Sequence, residues 1–143
     1  MRVLFVDDEE AHAQVVTGLL RTVLDAEVRF APSVRQALEE VQAAPVDLVI
    51  MDLFMPLGEH PVQALGPRAR RFQEQVAHLG GLVLLDELDR LRDPPRVLLH
   101  TASGEPALME ACGDRCHGRV FKPATAEHLL QAVLEALGLP VPG

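Results

Sequence analysis

Val46-Asp47-Leu48-Val49-Ile50-Met51-Asp52 is an almost unbroken apolar run that ends on a carboxylate. Near-continuous apolarity over so short a length marks a strand covered on both faces, as in a parallel sheet flanked by helices. Three further runs share the pattern. Val3-Leu4-Phe5-Val6 leads into Asp7-Asp8, Arg96-Val97-Leu98-Leu99-His100 into Thr101, and Arg119-Val120-Phe121 into Lys122-Pro123. In a parallel sheet the carboxyl ends of neighbouring strands share one edge, where ligands bind. Three carboxylates, a hydroxyl and an ammonium would meet there, a set suited to a divalent cation and a phosphoryl group.

The intervening segments alternate with these strands. The pattern predicts strands over 2–7, 26–31, 46–51, 96–101 and 118–122. A helix is expected over 10–24, with Val15, Val16, Leu19, Leu20 and Val23 on one face at helical spacing. Pro32-Ser33 opens a second helix, with Val34, Ala37, Leu38 and Val41 inward, that stops before Pro45. Further helices are expected over 82–92, near 105–112 and over 125–137. Right-handed crossovers reduce this to an α/β doubly wound five-stranded parallel sheet, flavodoxin-like, in the order 2-1-3-4-5. The first and third strands are then neighbours, and Asp7, Asp8 and Asp52 converge.

Bulk properties bound the function. The 143 residues suffice for one domain with a real core, and 48% of them are apolar. Trp and Tyr are absent, so Leu, Val, Ala and a few Phe must fill that core. A net charge of −8 argues against direct nucleic-acid binding. No membrane-spanning run or signal-peptide pattern is present, and a cytoplasmic location is expected. Cys112 and Cys116 would face the same side of a helix as two small half-buried residues. With His117 they fit no standard zinc spacing.

With Val6-Asp7-Asp8-Glu9, Asp52-Leu53-Phe54-Met55-Pro56, Leu99-His100-Thr101-Ala102 and Phe121-Lys122-Pro123 in order at four strand ends, the chain resembles the receiver domain of two-component response regulators, chemotaxis receivers among them. The resemblance covers roughly 1–56 and 81–137. It implies that Asp52 is the phosphoacceptor, and that Mg²⁺ is held by Asp7, Asp8, Asp52 and the backbone carbonyl of Phe54. It also implies that Lys122 pairs with a phosphoryl oxygen, that Thr101 donates its hydroxyl to another, and that Pro123 follows a cis bond. A carboxylate is a competent phosphoryl acceptor, and Mg²⁺ is a hard cation that favours oxygen ligands. The implied protein is not an enzyme on an external substrate. It accepts phosphate from a sensor histidine kinase or phosphotransfer protein, switches a downstream protein partner, and is a candidate homodimer. Two other classes are a phosphorylation-independent interaction module and a Mg²⁺-dependent phosphatase with an Asp nucleophile. Against the phosphatase, Phe54 stands where such enzymes place a second Asp.

The chain departs from the family pattern at three places: an insertion, the switch, and Phe54, whose bulk two positions past the acceptor is expected to hinder hydrolysis and slow the loss of phosphate from Asp52. Residues 57–80 are an insertion between the third strand and the helix that follows it, about twenty residues beyond a usual short connection. The insertion begins as a loop, Leu57-Gly58-Glu59-His60-Pro61. It continues as a helix from Pro67 to Leu79 with Ala69, Phe72, Val76 and Leu79 on one face and Arg68, Arg70 and Arg71 at its start. Gly80-Gly81 should break it from the next helix, since two glycines cost about 2 kcal/mol in a helix interior. The insertion is expected either to cover Asp52 partly, to form a partner surface, or to pack as a surface elaboration. Arg119 occupies the switch position, where receivers carry an aromatic residue, and Phe121 is expected in the core. Ala124 replaces the usual large apolar residue after Lys-Pro. The division expected is one receiver domain over 1–138, followed by a flexible tail over 139–143, either a stand-alone receiver or a piece cut from a longer chain.

Overall fold

The computed structural model describes residues 1–57 and 65–141. Strands β1 (Arg2–Val6), β2 (Glu27–Ala31), β3 (Leu48–Met51), β4 (Arg96–Thr101) and β5 (Gly118–Phe121) form one sheet in the order β2-β1-β3-β4-β5. All four pairings are parallel, with Val6 opposite Met51, Met51 opposite Leu99, and Thr101 opposite Phe121. This is the predicted order, and it brings the ends of β1 and β3 side by side. Helices α1 (Glu10–Leu24), α2 (Val34–Ala43), α3 (Pro67–Arg71), α4 (Gly80–Leu88), α5 (Pro106–Cys112) and α6 (Ala126–Ala136) cover it.

Alternation along the strands divides the core. Val3, Phe5, Leu48, Ile50, Leu98 and Val120 face α1 and α6. Leu4, Val6, Val49, Met51, Val97 and Leu99 face α2, α4 and α5. Ser33 caps α2 by accepting from the Gln36 N–H at 3.3 Å, and Thr125 caps α6 through His128 at 3.1 Å. Both are ordinary N-caps that satisfy an otherwise orphaned donor.

Several expectations need correction. Val15 and Val23 are 53% and 47% exposed; α1 buries the narrower stripe Ala13, Val16 and Leu20. The segment over 67–79 is not one helix. Phe72 leaves helical geometry at φ −126°, and 3-10 turns follow over Gln73–His78. The predicted apolar face nevertheless packs inward, with Ala69 and Leu79 buried and Phe72 and Val76 against the core. The helix placed at 82–92 begins at Gly80 and ends at Leu88. Cys112 closes α5, whereas Cys116 follows a 3-10 turn over Gly113–Arg115, so the two do not share a helix. Phe121 is 49% exposed rather than core. It sits on an edge strand, on the face opposite buried Val120.

The break expected at Gly80-Gly81 falls one residue earlier, at non-helical Leu79, and the two glycines open α4; contact explains why they are glycines. A Cβ on Gly80 would lie 2.5 Å from the Met55 carbonyl oxygen, and one on Gly81 would lie 2.5 Å from Leu53 Cα. Their N–H groups donate to the Met55 and Leu53 carbonyls at 3.0 and 3.1 Å. The start of α4 is thereby stapled to the loop that leaves β3.

The described part of the insertion docks on α4. Buried Asp86 of α4 accepts from the Ala69 N–H at 3.0 Å and from the Arg68 guanidinium at 3.0 Å, so it caps α3 from outside. Arg68 also donates to the Ala111 carbonyl at 3.1 Å, and Arg71 pairs with Glu110 at 3.8 Å. Residues 65–79 are therefore held on α4 and α5. The predicted loop around His60 lies outside the described residues.

Gly81→Ala separates these influences. Helix propensity alone favours alanine by about 1 kcal/mol. The 2.5 Å approach to Leu53 reverses that sign, and the variant is expected to lower the urea midpoint measurably.

Candidate functional site

Asp7 follows β1 directly, and its side chain is fully buried. Its Oδ1 accepts from the Glu9 N–H at 2.9 Å. Its Oδ2 accepts from Lys122 Nζ at 2.9 Å and lies 3.0 Å from His12 Nδ1. Asp52 follows β3 and is also buried. Its Oδ2 accepts from Lys122 Nζ at 2.8 Å, and its Oδ1 accepts from the Phe54 N–H at 3.0 Å. One ammonium from the end of β5 thus clasps the carboxylates that end β1 and β3. The Lys122-Pro123 peptide is cis, as the resemblance implied.

The electrostatics follow from this clasp. Burial alone would raise Asp7, but Lys122, the Glu9 N–H and His12 together hold it below its usual range. Burial alone would lower Lys122, and the two carboxylates more than reverse this. Asp8 is exposed beside Asp7 and is raised, by partial desolvation first, then by its side-chain hydrogen bond with Asp7 and by the charge of Asp7. Neither aspartate caps α1, whose N-cap is Glu9 with no side-chain bond.

Thr101 is fully buried at the end of β4, and its Oγ1 has no hydrogen-bond partner. It is not a helix cap, because α5 starts only at Pro106. An unpaired buried hydroxyl is costly unless something else satisfies it. Phe54 is 38% exposed at the mouth of the site. Arg119 stays outside: it is exposed and donates from Nη2 to the Gly113 carbonyl at 3.1 Å.

Two residues that sequence reasoning missed belong to this neighbourhood. His12, in the first turn of α1, reaches Asp7 and comes within 3.1 Å of Lys122 Nζ. His100, on β4, lies under the site, with its ring edge-on to Phe5 and to His12. The available signal was the five-residue step from Asp7 to His12, which returns the chain to the strand end it has just left.

The donor set suits a hard divalent cation. Asp7, Asp8 and Asp52 bring three carboxylates against one ammonium, leaving an excess of negative charge lined with oxygen. Among the described residues, however, no three acidic, His or Cys side chains already converge on one cation position. Lys122 and His12 instead share Asp7 Oδ2.

Comparison with known proteins agrees with this geometry. Residues 3–59 match the response regulator receiver domain family, a stretch holding Asp7, Asp8 and Asp52. Over that stretch the chain is similar to a receiver domain. Thr101 and Lys122 lie beyond the matched stretch, but structural similarity extends over them. The chemotaxis response regulator CheY4 of Vibrio cholerae superposes with a TM-score of 0.70 at 23% identity, covering 94% of this chain and 97% of that one. The non-phosphorylated HemR receiver domain of Leptospira biflexa gives 0.73 at 18% identity, covering 99% and 98%. At such identities the likeness is one of fold. An uncharacterized protein of Sinorhizobium fredii is 34% identical over 65 residues, 43% of this chain. The chain spans only 16% of that relative's length. No helix among the described residues is long and apolar enough to cross a membrane.

His100 gives the fold a specific acid sensitivity. Burial, and then the charge of Lys122, push it down to about 4. The unfolded chain takes up this proton near 6.5, before the folded protein does. Stability from neutral His100 is therefore complete above about pH 6.5 and falls as pH drops toward 4, by about 3 kcal/mol in total. His117 is also lowered, by burial and by Arg96 and Arg115. Urea unfolding of wild type and His100→Leu across this range isolates His100: the variant should show a flatter loss of stability.

Proposed function

We propose that this receiver domain accepts a phosphoryl group on Asp52 and uses the change to switch a protein–protein contact in two-component signalling. The observation that carries the reading is the Lys122 clasp between Asp7 and Asp52 at 2.9 and 2.8 Å, with an unpartnered buried Thr101 hydroxyl at the adjacent strand end. Such a site holds one cation where a phosphoryl group would add negative charge, and one donor with nothing yet to donate to.

Each residue then has a chemical task. The Phe54 N–H and Lys122 orient the Asp52 carboxylate, so that one oxygen can attack phosphorus. The new bond is oxygen to phosphorus, and the bond that breaks joins phosphorus to the donor's imidazole nitrogen, which leaves with a proton. Lys122 follows the transferred group as a point charge. Thr101 donates to another of its oxygens. Asp7, Asp8, Asp52 and the Phe54 carbonyl would hold Mg²⁺, which when bound supplies neutralisation of the phosphoryl oxygens. The partners this implies are a phosphohistidine-bearing kinase or phosphotransfer protein and a downstream protein, in the cytoplasm. The protein would promote its own phosphorylation and hydrolysis without turning over an external metabolite. Arg119 and the docked segment 65–79 make the readout surface unlike the family pattern.

Incubation with acetyl phosphate and Mg²⁺, read by intact mass, tests the proposal. Wild type should gain one phosphoryl group, and Asp52→Ala should gain none. No gain in wild type would favour an interaction module that works without phosphate. Once phosphorylated, Phe54→Asn should lose phosphate several-fold faster than wild type, because the bulky side chain at the mouth obstructs water. An unchanged rate in a phosphate-release assay would remove that role from Phe54.

A further inference from the structure

The Asp7 carboxylate is heavily engaged. Its Oδ1 is committed to the Glu9 N–H, and its Oδ2 is shared by Lys122 Nζ at 2.9 Å and His12 Nδ1 at 3.0 Å. The same His12 nitrogen lies 3.1 Å from Lys122 Nζ, so the three atoms form a tight triangle. The other ring nitrogen is 3.4 Å from Glu9 Oε2. The ring is held from behind by its edge contact with His100, with centroids 6.1 Å apart, and by α1, which is anchored through buried Ala13 and Val16.

A hard cation needs an oxygen of Asp7; here Oδ2 already serves two protein groups, and Oδ1 keeps one lone pair beside its bond to the Glu9 N–H. With its proton on Nδ1 the ring donates to Asp7 Oδ2 and strengthens the cation-free state; a bare Nδ1 would set its lone pair 3.0 Å from that oxygen, so the Nδ1–H form is the one that clamps. Hydrogen bonds to charged groups are the strong ones, and breaking one opposes ligand entry.

From this geometry we infer that His12 is a positioning residue that clamps Asp7 and Lys122 together and so weakens divalent-cation binding at the acidic site. The inference rests on the proposed function, in that the acidic site is taken to be the cation site. It makes His12 the residue that sets how much Mg²⁺ the receiver domain needs before phosphorylation can proceed.

Calorimetric titration of the whole chain with Mg²⁺ at fixed pH and ionic strength tests it. His12→Leu keeps the apolar bulk and removes the ring nitrogens. It should bind Mg²⁺ about tenfold more tightly, the effect of losing one charge-assisted hydrogen bond. His12→Asn, which restores a polar atom near the position of Nδ1, should return toward wild-type affinity. Unchanged affinity in His12→Leu, with only its urea midpoint shifted, would overturn the inference, since a merely structural role predicts that result. Weaker binding would also overturn it, because the imidazole would then be acting as a ligand. Asp7→Asn separates the two levels. If it binds Mg²⁺ as wild type does, the acidic site itself is misassigned. If binding depends on Asp7 but not on His12, only the clamp fails.

Discussion

Two carboxylates held within reach of one ammonium constrain everything around them. Asp7 and Asp52 are buried, and a buried charge is tolerated only when it is paired and hydrogen-bonded. Lys122 supplies the pairing from a strand two places away from β3, so the clasp closes only when β1, β3, β4 and β5 are in register. The backbone takes part as well. The Lys122 N–H donates to the Thr101 carbonyl at 2.9 Å, and the Asp52 N–H donates to the Val6 carbonyl at 3.1 Å. The sheet and the site are therefore one construction, in which the sheet sets the spacing of the charges and the pairing makes their burial tolerable.

The departures from the family pattern are arranged around that construction without entering it. The start of α4 lies against the chain leaving β3, at Leu53 and Met55, and only glycines allow so close an approach. The described part of the insertion is then fastened to α4 by Asp86 and to α5 by Arg68 and Arg71. A segment tied at both places packs on helices that cover β3 and β4. Arg119 is turned to the Gly113 carbonyl, in the turn between Cys112 and Cys116, instead of presenting an aromatic ring to the core. The acidic site is held by the Lys122 clasp, while Arg119 and the docked segment make contacts of their own away from it.

The two histidines near the site show how chemistry can be tuned without changing the principal residues. His12 competes for Asp7 from the side of α1, and His100 lies beneath it as a neutral, buried ring. Lys122 links them electrically, because its charge is one reason His100 resists protonation. A change at either histidine leaves the carboxylates in place while altering what surrounds them.

Much was legible in the sequence because period and position carry it. Apolar runs of strand length, each ending on a chemically distinctive residue, marked four of the five strands, and the handedness of crossovers gave their order and the convergence of Asp7, Asp52 and Lys122 at one edge. A separation near residue 80 was legible through the helix cost of two glycines, although the break itself falls at Leu79 and the glycines open α4. The rest depended on contacts between residues distant in the chain. Asp86 caps α3 from another helix, so the single helix expected over 67–79 became a short helix and 3-10 turns with its apolar face intact. Phe121 is apolar but lies on the outward face of an edge strand, where apolarity cannot decide burial. His12 reads as an ordinary polar helix residue until the first turn of α1 folds back over Asp7. Side-chain type and spacing determine which elements form and which residues end them. Only packing decides which oxygen each donor meets, because that depends on ångström-scale distances across the fold that no local pattern encodes.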